Sequence, residues 1–433
     1  MITEALLNVS LEGLGKNNIT SIFPCGIFQY MKDVNDKPGT PNYDLYRLAL
    51  KSTAQRVYPN YVNCQWSNDA GYDKNNPAEY PSTMGCRTYT GVDANGLGHL
   101  KDGRGNCNPV TIILPTLAMI SRNKIMKKYD NNESYKDHSI EIFNEFMKLL
   151  TIKIEDAKNT LLERYYHICS QSPKSGKFMY ENNVIAGYDG KNIESAMKHM
   201  SLAMGQLGMA ETLQIIFGFD HTCEQGMEYA KQIEQLYLDK CKCYKKEYSL
   251  NFGVYMTPAE NLAFTSFKKF KKQFGEIENV TYYIDKNGER QDKKYFTNSI
   301  HVPVYANIDC FKKIDIESQL TSYSQAGCIT YVELPSSAKH NIDALEKIVN
   351  YAMDKDIPYF AINCPIDRCL DCNYTDEIND VCPKCGSKRI NRLRRVTGYI
   401  TGNYTDAFNE GKQREVEQRI SHVGDSQLNK CDC

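Results

Sequence analysis

The sequence predicts an α/β protein that carries a small metal-stapled ribbon near its C-terminus. Three observations lead there. Residues 329–362 read as strand, helix and strand in succession. Long stretches over 136–168 and 224–247 repeat apolar residues at three- and four-residue steps. Near the C-terminus, two Cys-x-x-Cys pairs stand nine residues apart.

Taken in order, residues 1–120 are rich in Asn, Gly, Pro and Tyr. They read as loops and short strands, such as 110–114, with one helix over 44–56. Over 136–168, Ile140, Ile142, Phe143, Phe146, Met147, Leu149 and Leu150 line one helical face. Segments 191–217 and 224–247 carry the same kind of stripe and read as further helices, their apolar residues assigned to core packing. Further on, Ile329-Thr-Tyr-Val-Glu-Leu334 is rich in β-formers. Asn341 is placed to cap a helix bearing Ile342, Leu345, Ile348, Val349 and Met353, and 358–362 is a buried strand. A ribbon at 364–390, a glycine loop at 391–404 and a charged amphipathic helix at 406–421 complete the order.

Composition narrows the function classes. At 433 residues and 41% hydrophobic, the chain can build one large core or two to three domains. Its 52 basic and 53 acidic residues give a net charge of −1, so no general field draws it to nucleic acid or a membrane surface. The 17 cysteines are scattered and odd in number, which fits a reducing cytoplasm rather than a disulfide framework. The first residues, MITEALLNVS, hold no apolar signal region, and no run of eighteen apolar residues offers a bilayer span. A soluble, cytoplasmic protein is the expectation.

The cysteine pairs are Cys369-Leu-Asp-Cys372 and Cys382-Pro-Lys-Cys385. Each knuckle turns two sulfurs toward one point, and two knuckles supply the tetrahedral thiolate set that Zn²⁺ prefers. Four thiolates leave no open coordination position, so the expected zinc is structural. Unrelated thiols or a redox pair are the alternative, disfavoured by the doubling of the knuckle. Cys364 breaks the spacing and stands outside the set.

Other motifs are individually weaker. Tyr80-Pro-Ser-Thr-Met84-Gly-Cys86-Arg87-Thr88 sets a thiol in a loop, though a free cysteine is more often a small core residue. Gly103-Arg-Gly-Asn106 is a glycine turn without P-loop spacing, and Gly205-Gln-Leu-Gly208 opens no dinucleotide fingerprint. Directly behind the ribbon comes Arg395-Val-Thr-Gly398-Tyr399. This turn resembles the radical-bearing loop of glycyl radical enzymes. Glycine suits such a loop because a side-chain-free α-carbon radical can flatten and be stabilised by its flanking amides.

Together, M-G-C-R-T, G-R-G-N-x-x-x-V-T, N-F-G-V-Y-x-T-P-A-E-N (251–261), F-T-N-S-I-H (296–301), the four-cysteine ribbon and R-V-T-G-Y are informative. In this order they resemble the large subunit of the anaerobic, class III ribonucleoside-triphosphate reductases over essentially the whole chain. The resemblance implies part of a ten-stranded α/β barrel over 1–363, with a finger loop near 80–90. The zinc ribbon at 364–390 and the radical loop and tail at 391–433 would follow. It implies anaerobic reduction of ribonucleoside triphosphates to deoxyribonucleoside triphosphates. Gly398 would store the radical, and Cys86 would become the thiyl that takes the ribose 3′-hydrogen. Met84 and Asn106 would line the pocket, Asn106 bonding the ribose hydroxyls. Thr297 and His301 are candidates for substrate phosphate, with a purely structural histidine equally open.

The resemblance also implies an activating enzyme that uses S-adenosylmethionine and an iron–sulfur cluster. Formate or a thioredoxin-like protein would be the reductant, and a homodimer the assembly. Family members begin with an ATP-cone and first barrel strands, one bearing a second cysteine. Those features have no match here, and Cys25 and Cys64 do not stand at the second cysteine's position. A separate N-terminal reductase fragment, or truncation, is therefore expected. Two other readings compete. A formate-lyase type glycyl radical enzyme would use adjacent cysteines, and no Cys-Cys dipeptide occurs. A non-catalytic zinc-ribbon nucleic-acid-binding protein would use Lys388, Arg389, Arg392, Arg394 and Arg395, but the net charge is near zero.

Overall fold

The computed structural model describes residues 1–130, 132–396, 399–401 and 403–423. Along the chain the strands are β1 (Ile27–Tyr30), β2 (Asn60–Asn63), β3 (Asn106–Ile113), β4 (Ser201–Leu207) and β5 (Asn251–Tyr255). Then come the hairpin β6 (Tyr282–Ile284) and β7 (Arg290–Asp292), followed by β8 (Thr330–Glu333) and β9 (Tyr359–Asn363). The last group is β10 (Ile366–Cys369), β11 (Thr375–Asp376), β12 (Ile390–Val396) and β13 (Tyr399–Thr401). The chain divides into two compact units.

The first unit comprises Met1–Trp66, Val304–Ser318 and Ile329–Cys433. Its larger sheet has the order β1-β2-β9-β8. β1 and β2 are parallel and joined by the helix Tyr43–Arg56, while β8 and β9 are parallel and joined by the helix Ile342–Asp354. The two strand–helix–strand pieces meet at the antiparallel β2–β9 pair. Side chains alternate along each strand, so Tyr61, Phe360 and Ile362 pack with Tyr46, Leu50, Leu345 and Val349 of the helices. Val62, Tyr359 and Ala361 form a separate cluster with Ile329. The Asn341 side chain accepts from the Ala344 amide and caps its helix as the sequence predicts. The smaller sheet, β11-β10-β12-β13, is antiparallel.

The second unit comprises Ser67–Pro303 and Gln319–Cys328. Its sheet, β3-β4-β5, is wholly parallel. The helices Leu114–Met126 and Ser139–Cys169 lie between β3 and β4 in sequence, and Met209–Phe217 and Glu224–Tyr248 lie between β4 and β5. A β-bulge between Asn106 and Asn108 breaks the register where β3 begins.

The α/β class and the helices over 44–56, 136–168 and 224–247 follow the sequence reading, with small boundary shifts. Three expectations need correction. Segment 191–217 is not one helix: its centre is β4, every residue of which is buried. A strand buried on both faces reads as an unbroken apolar run, which periodicity cannot separate from a buried helix. Residues 1–120 hold two unforeseen helices, Ile2–Glu12 and Leu114–Met126, the latter opening on Pro115 in its first turn. The helix expected over 406–421 is confined to Glu410–Glu417, capped by Asn409, after a short turn at Tyr404–Ala407. Among the described residues, no helix is long and apolar enough to cross a membrane.

Candidate functional site

In the first unit, the four ribbon cysteines converge. β10 carries Cys369 into the first knuckle, where the Asn373 amide bonds the Cys369 carbonyl at 3.0 Å and Asn373 adopts φ +59°. The second knuckle repeats the device: the Gly386 amide bonds the Cys382 carbonyl at 2.8 Å, with Gly386 at φ +72°. The four sulfurs lie within 4.8 Å of one another. Cys369 Sγ is 3.5 Å from Cys385 Sγ, and Cys372 Sγ is 3.6 Å from Cys382 Sγ. A tetrahedron with Zn–S bonds of about 2.3 Å needs sulfurs about 3.8 Å apart, so the donor set fits zinc. Burial favours the neutral Cys369 thiol, yet the Cys372 and Asp371 amides bring it down to about 6. The Ser387 amide favours the Cys385 thiolate, but the neighbouring sulfurs push it up to about 12. Thiols this close share their charge. Cys364 is absent from the cluster, as expected.

β12 and β13, which supply Arg395, Val396 and Tyr399 of the R-V-T-G-Y motif, pair as far as Val396 and Tyr399. Thr397 and Gly398 lie outside the described residues. The arginines before them are engaged internally. Arg392 and Arg394 reach the fully buried Asp367 at 3.1 and 2.6 Å. Arg395, itself buried, donates to Asn60 Oδ1 at 2.7 Å and stacks over Tyr58. Their charge is therefore engaged within the first unit, not held as an open basic surface.

In the second unit, the thiol loop is closed at its base. Thr83 bridges to Tyr89, and the Met84 amide bonds the Thr88 carbonyl at 2.8 Å, leaving Cys86 between them. The loop is fastened on both legs. The Tyr89 amide bonds the Ala326 carbonyl at 2.9 Å, and the Tyr89 hydroxyl donates to Asp69. Asp69 is buried against Lys101 Nζ at 2.8 Å and His99 Nδ1 at 2.7 Å. Gly327, at φ +122°, packs so tightly that a Cβ there would sit 2.0 Å from the Arg87 carbonyl oxygen.

Cys86 is half-buried. Its Sγ lies 3.6 Å from the Thr88 hydroxyl, which lies 3.0 Å from Tyr255 Oη. Burial raises the thiol, but the Thr88 amide and hydroxyl and the Arg87 charge outweigh it and hold Cys86 below the ordinary thiol range. Arg87 is fully buried, its Nη1 3.2 Å from both the Met256 carbonyl and His301 Nε2. Met84 is 43% exposed, and its methyl would be 3.1 Å from a Cβ on Gly105, so it abuts the residue before Asn106. Asn106 is half-buried at the bulged start of β3, and its Nδ2 donates to Ser201 Oγ at 3.1 Å.

Met84, Cys86 and the Gly105–Asn106 step thus gather in the second unit, while the four ribbon cysteines gather in the first. Thr297 is turned elsewhere: its amide and hydroxyl both donate to Glu211 Oε1, at 2.9 and 2.7 Å. Tyr255, Arg87's contact with His301, and the Asp69 cluster were not foreseen. Tyr255 does sit within N-F-G-V-Y, which was the only sequence signal for it.

Comparison with known proteins identifies the family. A family model described as anaerobic ribonucleoside-triphosphate reductase matches residues 1–422. The Haemophilus influenzae protein of that name is 30% identical over 98% of this chain and 57% of its own length. The Enterobacteria phage T4 protein is 31% identical over 98% of this chain and 66% of its own length. The anaerobic ribonucleotide reductase of Thermotoga maritima with glycerol in the active site shares the fold, with a TM-score of 0.62 at 17% identity. That match covers 95% of this chain and 58% of the Thermotoga chain. This chain therefore spans a little over half the length of several relatives, and it belongs to the anaerobic ribonucleoside-triphosphate reductase family.

Proposed function

We propose that this chain carries the thiol and the radical glycine of an anaerobic reductase acting on ribonucleoside triphosphates. The observation that supports this best is the closed loop holding Cys86. The thiol stands at a fastened turn, with the buried Arg87 next in sequence and Met84 beside Gly105. A cysteine that only packs needs no such mounting.

In this reading Gly398 stores the radical and Cys86, as a thiyl, takes the ribose 3′-hydrogen. S–H and glycyl C–H bonds are close in strength, so that transfer is reversible. The 2′-hydroxyl then leaves as water. The two electrons come from formate, released as carbon dioxide, or from a thioredoxin-like dithiol, released as a disulfide. Asn106 bonds the ribose hydroxyls and Met84 lines the pocket. Zinc held by Cys369, Cys372, Cys382 and Cys385 fixes the ribbon next to the glycine loop and takes no part in the chemistry. The domains follow: 1–363 as barrel, 364–390 as ribbon, and 391–433 as radical loop and tail.

The partner is a radical S-adenosylmethionine activating enzyme, since radical initiation is cofactor chemistry. The assembly is a homodimer in the cytoplasm. A nucleic-acid-binding role is not favoured, because Arg392, Arg394 and Arg395 are engaged internally. The test is anaerobic activation, with and without an N-terminal reductase fragment, followed by measurement of deoxynucleotide. Product that requires Cys86 is expected. Product from Cys86→Ser, or none from a spin-active complete assembly, overturns the proposal.

A further inference from the structure

The segment 297–301 is more tightly held than a loop needs to be. At its start, Glu211 Oε1 takes both Thr297 hydrogen bonds and the ammonium of Lys293. Glu211 and Lys293 are buried, so the pair is compensated within the fold rather than by water. The Gly208 amide bonds the Thr297 carbonyl at 3.1 Å, and the Met209 amide bonds the Ser299 carbonyl at 3.2 Å. These two carbonyls cap the start of the helix Met209–Phe217. Ser299 is fully buried at φ +46°, a conformation that costs a residue with a Cβ energy and persists only when its surroundings impose it. The surroundings do so: Ser299 Oγ donates to Gln206 Oε1 at 2.7 Å, and Gln206 Nε2 donates to the buried Glu234. His221 Nε2 donates to the Ile300 carbonyl at 2.9 Å.

What this truss delivers is His301. Its Nε2 lies 3.2 Å from Arg87 Nη1. A guanidinium has donors only, so Nε2 must accept, which makes the imidazole neutral with its proton on Nδ1. Arg87 directly follows Cys86, and its carbonyl is the one that Gly327 admits.

We propose that His301 is a positioning residue: as a neutral acceptor it fixes the Arg87 guanidinium, and through it Cys86, while Glu211 and Thr297 anchor His301's segment. Thr297 is then an anchor and not a phosphate contact. The proposal deepens the reading of Cys86 as the reacting thiol and rests on that reading for its functional meaning. Thr88 meets the sulfur and Tyr255 meets Thr88, while Arg87, next in sequence, acts on the thiol through its charge and holds His301 on its far side. Fixing the charge of the residue next to Cys86 favours thiolate, in keeping with the lowered thiol range of Cys86.

The test is the pH profile of Cys86 alkylation by iodoacetamide, read by peptide mass spectrometry on the folded chain. His301→Leu should raise the midpoint by about half to one pH unit, which is about a three- to tenfold slower reaction at pH 7. His301→Gln, whose amide oxygen still accepts, should restore most of the shift. Only protein that keeps its thermal transition is scored. If His301→Leu does not fold, Thr297→Val loosens the same segment more gently and should move the midpoint the same way. An unmoved midpoint in His301→Leu or, failing that, in Thr297→Val overturns the proposal, as does a Gln variant no better than Leu. Alkylation needs no radical, substrate or partner. This inference can therefore fail while the reductase reading stands, and the reverse also holds.

Discussion

Substituting Gly327 by alanine tests how closely the thiol loop must be held. A Cβ on Gly327 would sit 2.0 Å from the Arg87 carbonyl oxygen and 2.8 Å from the Tyr89 amide nitrogen, where ordinary contact begins at 3.4 Å. Both neighbours are backbone, so neither can swing aside as a side chain would. Relief requires the loop or the 324–327 turn to retreat by about 1.4 Å, as the 2.0 and 3.4 Å separations dictate. The positive φ of +122° adds about 1–3 kcal/mol of strain for a residue with a Cβ. A displacement of about 1 Å at a reacting atom costs on the order of 100-fold in rate. Gly327→Ala should therefore lower turnover of the complete, activated assembly by about that factor while cooperative unfolding is retained. Gly253→Ala is the control, since its Cβ would meet Ala326 at 3.2–3.3 Å without positive φ, and its loss should be far smaller. A folded Gly327→Ala protein that turns over near the wild-type rate would refute the reasoning.

Elemental analysis should find one zinc per chain, lost in Cys382→Ser plus Cys385→Ser, and chelation should increase protease cutting beside residue 398. Zinc retained by that double variant contradicts the assignment. His422 gives a pH signature: burial, aided by Lys313 and Arg419 against Glu317, lowers its pKa to about 3. Its neutral Nδ1 accepts from the Glu333 amide at 2.8 Å. A depressed histidine contributes in full above its unfolded value of about 6.5 and loses the contribution as pH falls toward the folded value. Wild type should thus lose about 2 kcal/mol more than His422→Gln between pH 7 and 5 in denaturant titrations; parallel pH dependence would count against this. Cys86→Ser should leave stability and radical installation unchanged yet abolish deoxynucleotide formation.

What was legible in the sequence was whatever is local. The knuckles show themselves because ligand spacing and the left-handed residues after them, Asn373 and Gly386, fall within a few positions. The Asn341 cap and the helices over 136–168 and 224–247 are local in the same sense. β4 was hidden because SLAMGQL is buried along its whole length and so lacks the alternation that marks a half-buried strand. The candidate site was readable in its motifs but not in its wiring. Arg87 meets His301 across 214 residues, and Glu211 meets Thr297 across 86. No spacing rule predicts such pairs. Thr297 shows the consequence: a hydroxyl in a substrate-like motif is spent on a buried carboxylate. The arginines before Gly398 show it again: once folded, Arg392 and Arg394 pair with the buried Asp367 and Arg395 bonds Asn60.

The most direct measurement of the central claim is the fate of the chain in air after anaerobic activation. A backbone radical reacts with oxygen and cuts the chain where it resides. With the radical at Gly398, mass spectrometry should find a C-terminal piece spanning roughly 399–433, in an amount tracking the spin signal before exposure. Gly398→Ala should give neither spin nor cut. A spin-active sample that stays full length in air, or a cut mapped elsewhere, would contradict the assignment of the radical to Gly398.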